Sequence, residues 1–483
     1  MTDTTNPRAQ RLPLLALLPA ALVALGLLGA CTMIPEYQRP AAPIAAAYPP
    51  DPPASGASAP SATTPAAEID WRRYFADERL KRLIDIALAN NRDLRISVLN
   101  IEQARATWQV RRADQYPSVG AGVTYQRSPG ATGGLINTYS VGLAVTGYEL
   151  DLFGRVRSLS QAALAQYFAT EEARKSAQIS LIASVATGHL ALLADEELLR
   201  VTRDTLATRE DSFRLTKLKF DNGAASEIDF RQAETLLEGA RASYAATLRQ
   251  RAQDENALVL LLGQPLPADL PAPLPLASQQ VTTDLPAGLP SELLTRRPDV
   301  RAAEQQLISA NANIGAARAA FFPRISLTAN AGSASTELDG LFKGGSWAVT
   351  GTAQLLQPIF DAGRNRANLE LSQANRDIAV AQYEKAIQTA FREVADSLAG
   401  RAALNEQLRA QLAQRNASEI TYRLADLRYR NGAASYLEVL DAQRSLFTAQ
   451  QATVQVQAQQ AQNLVTLYKV LGGGWIEPAA TAQ

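Results

Sequence analysis

Few side chains here are equipped for chemistry. The 483 residues include one histidine, His189, and one cysteine, Cys31. A structural zinc site takes about four Cys or His ligands and a disulfide takes two cysteines, so both are all but excluded within one chain. His189 stands between Gly188 and Leu190 in a helical stretch, where a lone histidine is ordinarily structural or solvated, and it is assigned no role. No nucleophile–base pair, phosphate loop or ligand cluster is evident, so the chain is not read as an enzyme. What remains is charge placed by spacing. Asp441 and Arg444 lie three apart on a helix, a separation that makes a local ion pair worth a few tenths of a kcal/mol. Asp221 and Arg430 carry opposite charges at positions that coincide when the two halves of the sequence are aligned.

Cys31 has a different chemistry open to it. Arg8 and Arg11 precede an apolar stretch from Leu12 to Leu28, which ends in Leu28-Gly29-Ala30-Cys31. This resembles a bacterial lipoprotein signal: residues 1–30 are removed and Cys31 takes an N-acyl and an S-diacylglycerol lipid. An uncleaved membrane anchor is the alternative. Each buried CH2 adds about 0.8 kcal/mol, so several acyl chains anchor firmly. Thr32, not Asp, follows the cysteine, which by this resemblance permits sorting to the outer membrane. Apart from that lipid no cofactor or metal is expected. From Thr32 to Ala67 the chain is rich in Pro, Ala and Ser and reads as an extended tether, within a segment assigned to 31–76.

The body is a duplication. Asp93-Leu94-Arg95 recurs as Asp299-Val300-Arg301, and Arg112-Ala113 with Pro117 as Arg318-Ala319 with Pro323, all at an offset of 206. Gly154-Arg155 recurs as Gly363-Arg364, Asn222-Gly223-Ala224-Ala225-Ser226 as Asn431-Gly432-Ala433-Ala434-Ser435, and Leu262-Gly263 as Leu471-Gly472, at 209. The spacing predicts repeats over 77–263 and 291–472, a Pro-rich connector over 264–290 and a tail over 473–483. In each, a first helix (near 79–115 and near 298–321) is ended by Pro117 or Pro323. Two alternating stretches follow, then a very long helix to an Asn-Gly turn and a helix back.

The alternating stretches fall within hairpins at 118–148 and 324–357. Val119, Ala121, Val123 and Tyr125 face Tyr139, Val141, Leu143 and Val145, with Ile325, Leu327, Ala329 and Ala331 facing Trp347, Val349, Ala353 and Leu355 in the second copy. The intervening residues are small or polar, a period of two. Strands of about nine to ten residues are long enough to cross a bilayer when tilted. Hairpins of a soluble sandwich are the rival reading. Against it stand the leader, the lack of further strands for a second sheet, and the flanking aromatics Tyr116, Tyr148, Phe321, Phe322 and Phe360, which suit an interfacial girdle. Four strands cannot close a membrane barrel, and an open edge is not tolerated in lipid. Chains must therefore share one barrel, of roughly eight, twelve or sixteen strands.

The long helices span about Arg155–Asp221 and Arg364–Arg430, on the order of 100 Å each. Their Ala-, Gln- and charge-rich composition makes them soluble helices. Val185, Leu192, Leu199, Leu206, Phe213 and Phe220 repeat every seven residues, as do Leu440, Phe447, Val454, Ala461 and Tyr468 in the second return helix, which implies supercoiled packing. The companion positions Glu196, Arg203 and Glu210 are polar, giving a narrow seam whose other side borders water. Lys+Arg and Asp+Glu both total 47, so no basic field points to nucleic acid.

Several longer stretches carry a resemblance: Cys31-Thr32-Met33-Ile34-Pro35-Glu36-Tyr37-Gln38-Arg39-Pro40, Glu149-Leu150-Asp151-Leu152-Phe153-Gly154-Arg155, Ala316-Ala317-Arg318-Ala319-Ala320-Phe321-Phe322-Pro323, Leu440-Asp441-Ala442-Gln443-Arg444-Ser445-Leu446-Phe447 and Leu471-Gly472-Gly473-Gly474-Trp475. Through them the chain resembles the TolC-like outer-membrane channels of tripartite efflux pumps, most closely the OprM-type lipoproteins. The resemblance implies an α+β fold of mostly long helices, in a homotrimer with a shared 12-stranded transmembrane barrel, a periplasmic helical barrel and an equatorial belt. It implies a passive exit duct for drugs and small toxic compounds, partnered by a periplasmic adaptor and a proton-driven inner-membrane transporter. Asn222, Gly223, Ala224, Asn431, Gly432 and Ala433 become the adaptor-docking tips, and Tyr436, Leu437, Asp441 and Arg444 the periplasmic gate. The gate positions match Glu227, Ile228, Gln232 and Thr235 in the first repeat, so Asp and Arg occur in one copy only. Asp221 and Arg430 attract across a groove, or sort adaptor hairpins, or are two unrelated exposed charges. A type I protein-secretion duct and a non-channel bridging lipoprotein are the rival functions.

Overall fold

The structure, a computed structural model, describes residues 32–45, 47–48, 69–130, 133–279 and 296–475. Cys31 and the rest of the leader lie outside them. Each half repeats one order of elements. The first has α1 (Trp71–Tyr74), α2 (Glu78–Asn90), α3 (Arg92–Ala113), β1 (Val119–Pro129), β2 (Leu135–Leu150), α4 (Arg155–Asp221) and α5 (Glu227–Leu262). The second has α6 (Pro298–Ala319), β3 (Arg324–Ser335), β4 (Trp347–Leu356), α7 (Arg364–Arg430) and α8 (Tyr436–Val470). Both long helices have 67 residues.

Among the described residues, one compact unit comprises those within 1–40, 102–169 and 304–382. It holds a four-stranded antiparallel sheet in the order β1-β2-β3-β4. The register aligns the alternating apolar positions in rows: Ala121, Leu143, Ala331 and Val349 form one, and Val119, Val145 and Ala329 the next. At 16 residues β2 is longer than expected, because it runs through a bulge between Val145 and Tyr148, where Gly147 has φ 65°, and then resumes pairing with β3. Gly142 lies opposite Gly332, and a Cβ on Gly142 would come within 2.5 Å of the Ala331 carbonyl oxygen. β1 and β4 each leave one edge unpaired.

In the same unit, part of the expected free tether is docked. Arg39 makes a two-pronged ion pair with Glu304 at 2.7 and 2.8 Å, the Tyr37 hydroxyl donates to the same carboxylate, and Asn311 donates to the Pro35 carbonyl. Gly315 of α6 lets Ile34 in; a Cβ there would lie 2.5 Å from Ile34 Cγ1. Composition marks a Pro/Ala stretch as extended, but an extended chain can still dock where its few polar side chains find partners.

The described residues of the other unit, within 41–101, 170–303 and 383–483, are mostly helical. Leu83 and Ile84 of α2, Leu262 of α5 and Tyr383, Ile387, Ala390 and Val394 of α7 have no exposed surface. Tyr74 stacks on Tyr468 with ring centroids 4.0 Å apart. The helix expected near 79–115 is two helices. Asn91 adopts φ −61°, ψ 131°, its side chain accepts from the Leu94 amide, and its Nδ2 donates to the Leu261 carbonyl at 2.9 Å. The break lets the end of α5 approach: a Cβ on Gly263 would sit 2.4 Å from the Asn90 oxygen. One window of α4 is apolar enough to cross a membrane, but 61% of it is buried within the protein, so it is core. His189, 1% exposed, bonds Asp77 at 3.1 Å, which makes it structural.

Candidate functional site

The two Asn-Gly turns are built alike. Gly223 and Gly432 take φ 70° and 71°, the left-handed conformation that glycine adopts cheaply. Ala224 and Ala433 donate backwards to the Lys219 and Arg428 carbonyls at 2.8 and 2.9 Å. The Asn222 and Asn431 side chains each donate to the carbonyl four residues earlier at 2.7 Å.

Just past the turns the likeness ends. Ser226 caps α5 in a reciprocal box with Asp229. Ser435, its counterpart, makes no side-chain cap bond, and Glu438 instead meets Arg428 at 3.3 Å. Lys219 Nζ donates to the Tyr429 hydroxyl at 2.6 Å, tying the end of α4 to the end of α7. Asp221 and Arg430 do not pair with each other within the chain: Asp221 meets Lys217 at 3.0 Å and Arg430 meets Asp426 at 2.8 Å. Each is taken by the residue one turn back on its own helix, where neighbours are pre-aligned.

The expected gate residues converge with their first-repeat counterparts. Glu227, Ile228, Gln232 and Thr235 of α5 and Leu437, Asp441 and Arg444 of α8 line one groove of about 620 Å³. Asp441 and Arg444 pair at 2.5 Å and stay well exposed. Ile228 and Leu437 present exposed apolar side chains, 70% and 59%, so the groove mixes apolar floor with charge. Tyr436 is outside the groove lining; its ring lies 5.3 Å from Tyr429 and its hydroxyl is buried without a hydrogen-bond partner among the described residues.

Sequence reasoning missed a second set. The row on α4 three positions after the heptad residues is buried although polar: Asp195 6%, Thr202 1%, Arg209 5% and Thr216 5% exposed. Glu196, Arg203 and Glu210, one position further on, are exposed. Burial and a hydrogen bond with Asp254 push the Asp195 carboxyl up to about 7. Arg209 Nη1 donates to Gln443 Oε1 at 2.5 Å, and Gln443 Nε2 donates to the Tyr422 hydroxyl at 3.2 Å. Their own seven-residue spacing was the available signal, but polar residues are not counted in a hydrophobic rhythm.

Known proteins bear on this arrangement. Residues 83–264 and 289–473 match the model for "Outer membrane efflux protein". The chain belongs to that family. It is 49% identical over 464 residues to the probable efflux pump outer membrane protein TtgC of Pseudomonas putida, covering 95% of each chain. It is 46% identical to the outer membrane protein OprJ of Pseudomonas aeruginosa, covering 95% of this chain and 96% of that one. The open-state MtrE outer membrane channel of Neisseria gonorrhoeae superposes with a TM-score of 0.83 at 43% identity, covering 92% of this chain and 98% of that one. The outer membrane efflux family thus accounts for the TolC-like α+β fold and for an outer-membrane location.

Proposed function

We propose that the chain is the outer-membrane exit duct of a tripartite efflux pump, a passive conduit that works as a homotrimer. The observation that carries this is the sheet: one mostly apolar face and, among the described residues, two unpaired edges. In lipid both edges need partners, and β4 of one copy can pair with β1 of the next. Three copies close twelve strands, with room for a lumen lined by the small residues of the other face. The helical hairpins then lie in the periplasm, their Asn-Gly turns toward a periplasmic adaptor and a proton-driven inner-membrane transporter. Acylation of Cys31 adds a lipid anchor.

Relatives named for toluene and antibiotic efflux support drugs and small toxic compounds as cargo. The α5/α8 groove is the gate, with Asp441 and Arg444 as its charged ring and Tyr436 and Leu437 beside it. The turns at Asn222–Ala224 and Asn431–Ala433 are the docking tips, and Asp221 and Arg430 give those tips opposite charge. Purified protein reconstituted in planar bilayers is expected to run as a heat-labile trimer with a low, steady conductance that rises in Asp441→Ala. An unchanged conductance in that variant would sink the gate assignment; no conductance from any assembled form would sink the duct.

A further inference from the structure

The first turns of α8 have two faces. Leu437, Asp441 and Arg444 are exposed, whereas Val439, Ala442 and Gln443 are buried. Gln443, 8% exposed, is the polar member of the hidden face. One oxygen and one nitrogen of its amide reach two other helices, accepting from Arg209 of α4 and donating to Tyr422 of α7.

Arg209 is the unusual partner. It is buried, and among the described residues no carboxylate lies within ion-pair distance of it. Asp204, which shares with it the lining of a cavity of about 120 Å³, is engaged by Arg200 at 3.1 Å. Burial pulls the Arg209 pKa below the ordinary arginine value. A guanidinium without a counter-charge in such a place is costly, and here the acceptor is a neutral amide.

The equivalent positions under the internal repeat have nothing of the kind. At an offset of 209 the counterparts of Arg209, Gln443 and Tyr422 are Ser418, Glu234 and Phe213. There the helix past the turn is held by rings instead: Phe230 of α5 lies 5.5 Å from Phe213 and 5.2 Å from Phe220, both on α4. An aromatic stack loses apolar burial when opened and gains nothing back. A strained polar tie behaves otherwise, because water released onto Arg209 offsets the bond that is lost.

We infer that Arg209 and Gln443 form a latch that positions α8 in the closed state, from the side of the helix opposite Asp441 and Arg444. The inference rests on the gate reading above.

One position tests it in both directions. In planar bilayers, Gln443→Leu leaves Arg209 without its acceptor and is expected to raise open probability at least tenfold. Gln443→Glu gives Arg209 a carboxylate and is expected to hold open probability at or below wild type. A merely structural role moves both variants the same way, so a rise in both overturns the latch, as does an unchanged Gln443→Leu trimer. Tyr422→Phe removes only the second bond and is expected to give a smaller rise; if Gln443→Leu does not assemble, the Glu and Phe variants decide, and no rise in Tyr422→Phe counts against the latch. Raised conductance in Asp441→Ala without a response at Gln443 removes the latch and keeps the gate. No response in Asp441→Ala removes the gate itself.

Discussion

Two buried aspartates respond to pH in opposite directions. Asp77 is buried, which alone would raise its pKa, but hydrogen bonds from His189, Gln279 and the Arg79 amide bring it down to about 2. A depressed carboxyl contributes stability that is present above about pH 4 and lost as pH falls through about 2. Asp77→Ala removes the α2 cap and strands the side chain of His189, so a loss of about 3 kcal/mol is expected in thermal unfolding at neutral pH. Asp195 runs the other way. Its raised carboxyl contributes stability that is present below about pH 4 and lost as pH rises through about 7. Asp195→Asn should therefore raise the unfolding temperature relative to wild type at pH 8 and lose that advantage at pH 4. Neither aspartate announces itself in the sequence: each is one carboxylate among many, and its main side-chain partners, Asp254 for Asp195 and His189 and Gln279 for Asp77, lie 59 to 202 positions away.

Helices and turns were the legible elements. Pro117, Pro323 and the two Asn-Gly pairs mark where helices stop, since each acts through its own backbone preferences. The strands were legible because alternation against a flat sheet needs no knowledge of the partner. The break at Asn91 was not, because an asparagine inside a helical pattern is ambiguous until its side chain finds the Leu94 amide and the Leu261 carbonyl. The buried row Asp195, Thr202, Arg209 and Thr216 was not legible either, for hydrophobic periodicity reports which residues prefer burial, not which are forced into it. The caps past the two turns make a prediction at this scale. Ser226→Ala should cost about 1 kcal/mol and speed amide exchange in the first turn of α5, while Ser435→Ala should change the first turn of α8 little. Equal effects at the two serines would contradict the asymmetry.

For the whole molecule, the unpaired edges of β1 and β4 predict a contact between copies. With a cysteine fixed in β4 and another moved along β1, oxidation should give a covalent trimer at one register; crosslinks confined to single chains would contradict the shared barrel. The β2–β3 ladder matters most here. It joins the hairpin of one repeat to that of the other, with Gly142 and Gly332 allowing the strands to close up. In the proposed trimer the joint from β4 to the next β1 would be of the same kind, made without a covalent link. In the proposed trimer the chain supplies two of six like staves, fused in pairs. Fusion is what allows the staves to diverge: a ring of six identical units has to place every charge six times, whereas a paired ring can put Asp441 and Arg444 at every second stave and the Arg209–Gln443 tie at every second joint between staves.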